Sequence, residues 1–182
     1  MLKEFRSIIA PLFQYQLYTM NQISRAISYG LIALLFTASF AVSAKEVAKP
    51  WLLKTQNGDV ISLAQYKNKP IILHFWATWC PYCKKLQPTL VALQKKYQAQ
   101  GVELISISFN EDEGTLPQDE IHSRGYSFLT AVMGEEVAEL YDVRGTPTTF
   151  FINRKNEIIF KTSSSNITDP RLDLALQEIV KL

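Results

Sequence analysis

Apolar residues along this chain fall into short runs whose period switches between two-residue alternation and helical spacing. Trp51 to Thr55 and Val60 to Leu63 flank Asn57-Gly58-Asp59. Asn-Gly supplies the positive φ of a tight turn, so a small N-terminal hairpin is predicted. Pro70 opens a continuous apolar run, Ile71 to Trp76, as expected of a central strand covered on both faces of a parallel sheet. From Cys80 to Gln100 the positions Leu86, Leu90, Leu93 and Tyr97 recur at helical spacing, Lys85, Lys95 and Lys96 face water, and Gly101 closes the segment. Val102 to Phe109 reads as the next strand, Asn110 to Thr115 as an acidic loop, and Pro117 to Ser123 as a short helix with proline in its first turn. Phe128 to Val132 suits a further strand, and Glu135 to Tyr141 a short helix with acidic residues at its start. "TPTTFFIN" and "EIIFKT" on either side of "RKN" form a second hairpin. Asp169-Pro170 caps a last helix whose apolar face is Leu172, Leu176, Ile179 and Val180. Strands and helices alternate through the middle, which predicts an α/β sandwich.

The first 44 residues follow a different pattern. Ile27 to Ala44 is apolar and uncharged, with Arg25 before it and Lys45 after it, and it ends in Val42-Ser43-Ala44. That is the layout of an export signal cleaved after Ala44, and counting from Met20 gives a segment of ordinary length, which points to initiation at Met20. An uncleaved membrane anchor over residues 27–44 is the alternative, since the run reaches the lower edge of what spans a bilayer. Either way residues 45–182 form a single globular domain outside the cytoplasm, where cysteine pairs persist oxidised. With 47% hydrophobic residues over all 182 positions the chain has enough apolar material to bury a core. Its 16 basic and 16 acidic residues balance, so composition gives no electrostatic footprint for nucleic acid or an anionic membrane.

Cys80 and Cys83 are the only cysteines, two residues apart where the central strand gives way to the helix. At a helix start, unpaired backbone N–H groups and the positive end of the helix dipole favour a thiolate, which makes Cys80 the nucleophile. Cys83, one turn deeper on the same face, is placed to resolve a mixed disulfide. A structural staple is the first alternative, but so short a loop confines the unfolded chain very little. A metal pair is the second: zinc needs four ligands, whereas a Cu(I)-binding module could use the two cysteines with His74 as a third.

"FWATWCPYCKK", with Trp79 before the first cysteine, Pro88 five residues beyond the second, and the distant "VRGTPTTFFIN" resemble the thioredoxin superfamily, in particular its exported TlpA/ResA/DsbE-like branch. The resemblance covers about residues 50–182 and implies a thioredoxin-like three-layer α/β/α sandwich with an N-terminal hairpin and a TlpA-type central insertion over Asn110 to Tyr141. It implies a cis peptide before Pro147, with Thr146 and Pro147 presenting backbone to a substrate chain, and Trp79, Pro81 and Tyr82 around the sulfurs as further substrate contacts. The implied activity is thiol:disulfide exchange with protein thiols and disulfides and with a redox partner protein, membrane-bound in one version, by a monomer without cofactor or metal in a bacterial periplasm or other extracytoplasmic space.

Two positions depart from the pattern. His74 occupies the strand position where thioredoxins bury an acid, which makes it the candidate for proton transfer with Cys83, and a cation there would favour thiolate. A histidine simply satisfied in the core is the plainer reading of the same residue. Leu86 stands three residues after Cys83, where ResA-like reductases carry an acid.

Overall fold

The computed structural model describes residues 45–181; the segment read as an export signal or anchor, residues 1–44, lies outside the described residues. Seven strands form one sheet in the order β2-β1-β5-β4-β3-β6-β7. They are β1 (Leu52–Thr55), β2 (Val60–Ser62), β3 (Ile71–Trp76), β4 (Glu103–Ser108), β5 (Leu129–Val132), β6 (Thr148–Ile152) and β7 (Ile158–Thr162). Four α-helices join them: α1 (Pro81–Lys96), α2 (Pro117–Ser123), α3 (Glu135–Leu140) and α4 (Pro170–Ile179).

β3 lies inside the sheet, parallel to β4 and antiparallel to β6. All six of its residues are buried, the outcome its unbroken apolar run predicts. Alternation along the strand divides them between two layers. Ile72 and Trp76 join the core beneath α1 and α4, with Leu86, Leu90, Leu172, Leu176 and Ile179, and Ile121 of α2 packs there too. Ile71, Leu73 and Phe75 join the opposite core, covered by Val137 and Ala138 of α3 and by Trp51 and Ile61 of the N-terminal hairpin. There Phe75 sits among Phe109, Tyr141 and Phe150 with ring centroids 5.7–6.2 Å away, and each such side chain contributes about 1.5–3 kcal/mol through burial. The result is the predicted three-layer α/β/α sandwich with an N-terminal hairpin.

The central stretch from Asn110 to Tyr141 supplies α2, β5 and α3. β5 pairs parallel with β4 and antiparallel with β1, so the hairpin is stitched to the sheet through the insertion. Gly134, between β5 and α3, has to be glycine: a Cβ there would lie 2.1 Å from a methyl of Ile107 and 2.9 Å from the Ser108 carbonyl oxygen. Its own N–H donates to that carbonyl at 2.9 Å.

The cysteine-bearing helix is shorter than its apolar pattern predicts. It runs only to Lys96, and Gln98–Gln100 continues as a 3₁₀ turn ending at Gly101 with φ 78°. Pro88 lies inside it. A proline has no N–H for the carbonyl four residues back, which is that of Lys84. That carbonyl is satisfied from outside, by Arg124 Nη2 at 2.7 Å, while Arg124 Nη1 donates to the Gln87 side-chain oxygen.

Candidate active site

The site forms where β3 ends and α1 begins. Cys80 is the N-cap of α1, with Pro81 in the first turn, and its sulfur accepts a hydrogen bond from the Cys83 N–H at 3.1 Å. That bond uses one of the amides a helix start leaves unpaired, and it stabilises negative charge on Cys80 Sγ once the pair is reduced. Cys80 and Cys83 are joined in a disulfide with their Cα atoms 5.4 Å apart. With the disulfide closed the two cysteines differ little in exposure: Cys80 is 2% exposed and Cys83 0%. What faces solvent is the rim. Trp79 is 54% and Tyr82 62% exposed, and Pro81 between the cysteines is exposed as well.

The loop before β6 reaches the same end of the sheet. Register pairs Phe75 with Thr148, so Thr146 and Pro147 lie beside the exit of β3 toward the cysteines. Their peptide bond is cis, as the resemblance implies. Pro147 is buried and Thr146 partly buried, and Thr148 Oγ1 donates to the Gly145 carbonyl at 2.7 Å, closing the loop on itself.

His74 lies one alternation before Trp76 and therefore on the cysteine-bearing side of the sheet. It is fully buried. Nδ1 lies 2.9 Å from Thr149 Oγ1 across the β3–β6 ladder, and Nε2 has no hydrogen-bond partner. Burial lowers its pKa from 6.5 to about 3, because desolvation penalises the charged ring. The imidazole is neutral at ordinary pH, which removes the expectation that a cation beneath the pair favours thiolate.

Glu111 is a residue the sequence pattern did not single out. Its carboxylate accepts from the Thr78 N–H at 2.9 Å and from Thr78 Oγ1 at 2.5 Å, and it takes a further hydrogen bond from Ser108 Oγ. It thereby ties the end of β4 to the turn two residues before Cys80. Trp79 is held in the same way, its indole N–H donating to the Asn110 carbonyl at 2.7 Å. Glu111 sits in an acidic loop where each carboxylate looks like solvated surface, and its partner Thr78 is 33 residues away. The available signal was its place just past the carboxyl end of a central strand, where α/β sheets gather their functional groups.

Comparison with known proteins agrees with this geometry. The thiol-disulfide oxidoreductase ResA of Halalkalibacterium halodurans is 31% identical over 170 residues, 93% of this chain and 95% of that protein. ResA of Bacillus subtilis is 30% identical over 135 residues, 74% of this chain and 75% of the relative. Among solved structures, a thioredoxin-family thiol:disulfide interchange protein from Chlorobium tepidum superposes with TM-score 0.66 at 23% identity, covering 78% of this chain and all of that one. StoA of Bacillus subtilis gives 0.54 at 26% identity, covering 71% and 97%. These relatives favour redox exchange over the Cu(I)-binding alternative, and the chain is a thioredoxin-like thiol-disulfide oxidoreductase. Among the described residues no cluster of three or more metal-ligating side chains is present. The model of the AhpC/TSA family matches residues 44–161, and the chain belongs to that family.

Proposed function

We propose that this protein exchanges disulfides with protein substrates in an extracytoplasmic compartment, with Cys80 as nucleophile and Cys83 as resolving thiol. The observation that carries the assignment is the Cys80 sulfur capping α1 and accepting the Cys83 amide. In the reducing direction Cys80 thiolate attacks one sulfur of a substrate disulfide, the S–S bond breaks, and one substrate thiolate leaves. Cys83 then loses its proton and attacks Cys80 Sγ, releasing the second substrate thiolate. Two electrons pass to the substrate and the protein is left as the observed disulfide; the oxidising direction is the same path reversed. The substrate chain lies across Trp79, Pro81 and Tyr82 and takes its backbone partners from Thr146 and Pro147 by strand addition. Neutral His74 offers its unpartnered Nε2 as a hydrogen-bonding group on the Cys83 side of the sheet rather than as a charge.

Residues 1–44 fit an export segment, and a chain exported by it leaves the compartment that holds thiols reduced. Among the described residues no helix is long and apolar enough to cross a membrane, so an anchor, if retained, is the 27–44 segment. N-terminal sequencing of the protein recovered from its native host distinguishes cleavage after Ala44 from retention.

Trapping tests the assignment. Cys83→Ser should accumulate a mixed disulfide through Cys80, visible on a non-reducing gel, and Cys80→Ser should accumulate none. Trapping through Cys83, or an alkylation-versus-pH curve for Cys80 centred on the free-cysteine value of about 8.5, would overturn it.

A further inference from the structure

The balanced charge of residues 45–182 conceals a sharp division. Residues 110–142 carry nine acidic side chains against Arg124 alone, net −8, while the rest of 45–182 carries fifteen basic against seven acidic, net +8. Among the described residues only Glu120 and Asp142 of those nine are in ion pairs, with Lys84 and Arg144. Arg124 is itself turned onto α1. The acidic field of the insertion is therefore uncompensated from within.

That field flanks a groove that opens at the active-site turn. A cavity of about 480 Å³ runs from Thr78 and Trp79 to Leu116 and Asp119. At Thr115 and Leu116 it meets a second, of about 310 Å³, which continues past Asp112 to Met133 and Glu135. Along this path three large apolar side chains face solvent, Trp79 at 54%, Leu116 at 52% and Met133 at 80%. Exposed apolar surface lined up beside a reactive centre and rimmed by charge marks a binding site.

Resting on the exchange function above, we propose that this groove docks the substrate polypeptide and selects an extended segment bearing Lys or Arg next to apolar residues around its reacting cysteine. Apolar side chains of the segment lie against Trp79, Leu116 and Met133, and its cations face the unpaired carboxylates. Anionic partners are repelled by the same field. Carboxylates this exposed act chiefly on the encounter rate, which fields of one sign raise by about 10- to 1000-fold at low ionic strength, and salt shortens their reach to about 10 Å at 0.1 M.

The test uses the reduced protein over its exported span and three synthetic peptides with one internal disulfide each, identical except that the residues flanking the cysteines are Lys-Leu, Ser-Leu or Glu-Leu. Single-turnover rates are read from Trp fluorescence at about 20 mM and 500 mM salt. The expected order is Lys above Ser above Glu, with Lys about 10-fold or more above Glu at low salt and less than about 2-fold at high salt. Asp112→Asn/Glu113→Gln/Asp119→Asn should bring the low-salt Lys-to-Glu ratio close to that of high salt. Equal rates for all three peptides would overturn the docking proposal while leaving the exchange function standing. No exchange with any of them would remove the function itself. Sedimentation of the protein as a salt-sensitive dimer at low ionic strength would assign the acidic surface to a second copy and also overturn the proposal.

Discussion

The β3–α1 unit and the insertion that faces it are built on opposite principles. β3 is buried on both faces and leads directly to a helix whose cap is Cys80, the proposed nucleophile; its geometry follows from local sequence. The insertion holds two helices of only seven and six residues, and takes positive φ at Asn110 and Met133. Its shape depends on side-chain bonds to distant residues: Glu111 to Thr78, Gln118 to the Phe128 carbonyl and the Thr130 N–H, and Arg124 to Lys84 and Gln87. The cysteine-bearing turn is thus encoded in a compact unit, while the docking surface proposed above is encoded in contacts that can change one at a time. A fold can keep its chemistry constant and vary its partners when the two are separated in this way.

Four substitutions sharpen that contrast. Phe75→Ala, in the β3 layer, should destabilise the fold by about 3–5 kcal/mol in denaturant titration; a cost below 1 kcal/mol would mean that the aromatic cluster around it collapses to fill the space. Glu111→Ala should cost about 1–3 kcal/mol, because donors on Thr78 and Ser108 lose their acceptor. It should also slow alkylation of Cys80 by displacing the turn before it, whereas unchanged alkylation would show that Glu111 serves the insertion alone. His74 gives a pH signature. Its folded pKa lies below the unfolded 6.5, so the unfolded chain takes up a proton the folded one refuses and stability falls as pH drops below 6.5, by about 1.4 kcal/mol per unit. Between pH 7 and pH 5 the stability of the native protein should fall by about 2 kcal/mol more than that of His74→Gln, and parallel curves for the two would contradict a buried neutral ring. Trp79→Ala, on the exposed rim, should lower stability by no more than about 1.5 kcal/mol through loss of the bond to the Asn110 carbonyl yet slow exchange with a peptide disulfide relative to exchange with dithiothreitol.

The sequence showed the elements of both regions, α2, β5 and α3 of the insertion included, but not the long-range contacts that shape the second. The run from Ile71 to Trp76, the proline-bearing helix start and the cysteine spacing each reflect interactions within a few residues, and the elements appear where the periodicity puts them. The end of α1 was misplaced because Leu93 and Tyr97 keep the helical period past the point where the backbone tightens into a 3₁₀ turn. The position of the Pro147 loop at the end of the sheet where β3 exits depends on the antiparallel β3–β6 register, which spacing alone does not encode and which the family resemblance supplied. The charge state of His74 depends on complete desolvation, a property of the assembled core. The polarity of the domain was hidden because a summed charge of zero says nothing about where the charges lie.

The proline in the middle of α1 has an effect beyond its own turn. By withdrawing a donor from the Lys84 carbonyl it makes the second turn of the redox helix dependent on a guanidinium 40 residues away. Loss of Arg124 would therefore weaken the helix from inside and remove one of the links, beside the Lys84–Glu120 ion pair and the Glu111–Thr78 bonds, that hold it against the insertion.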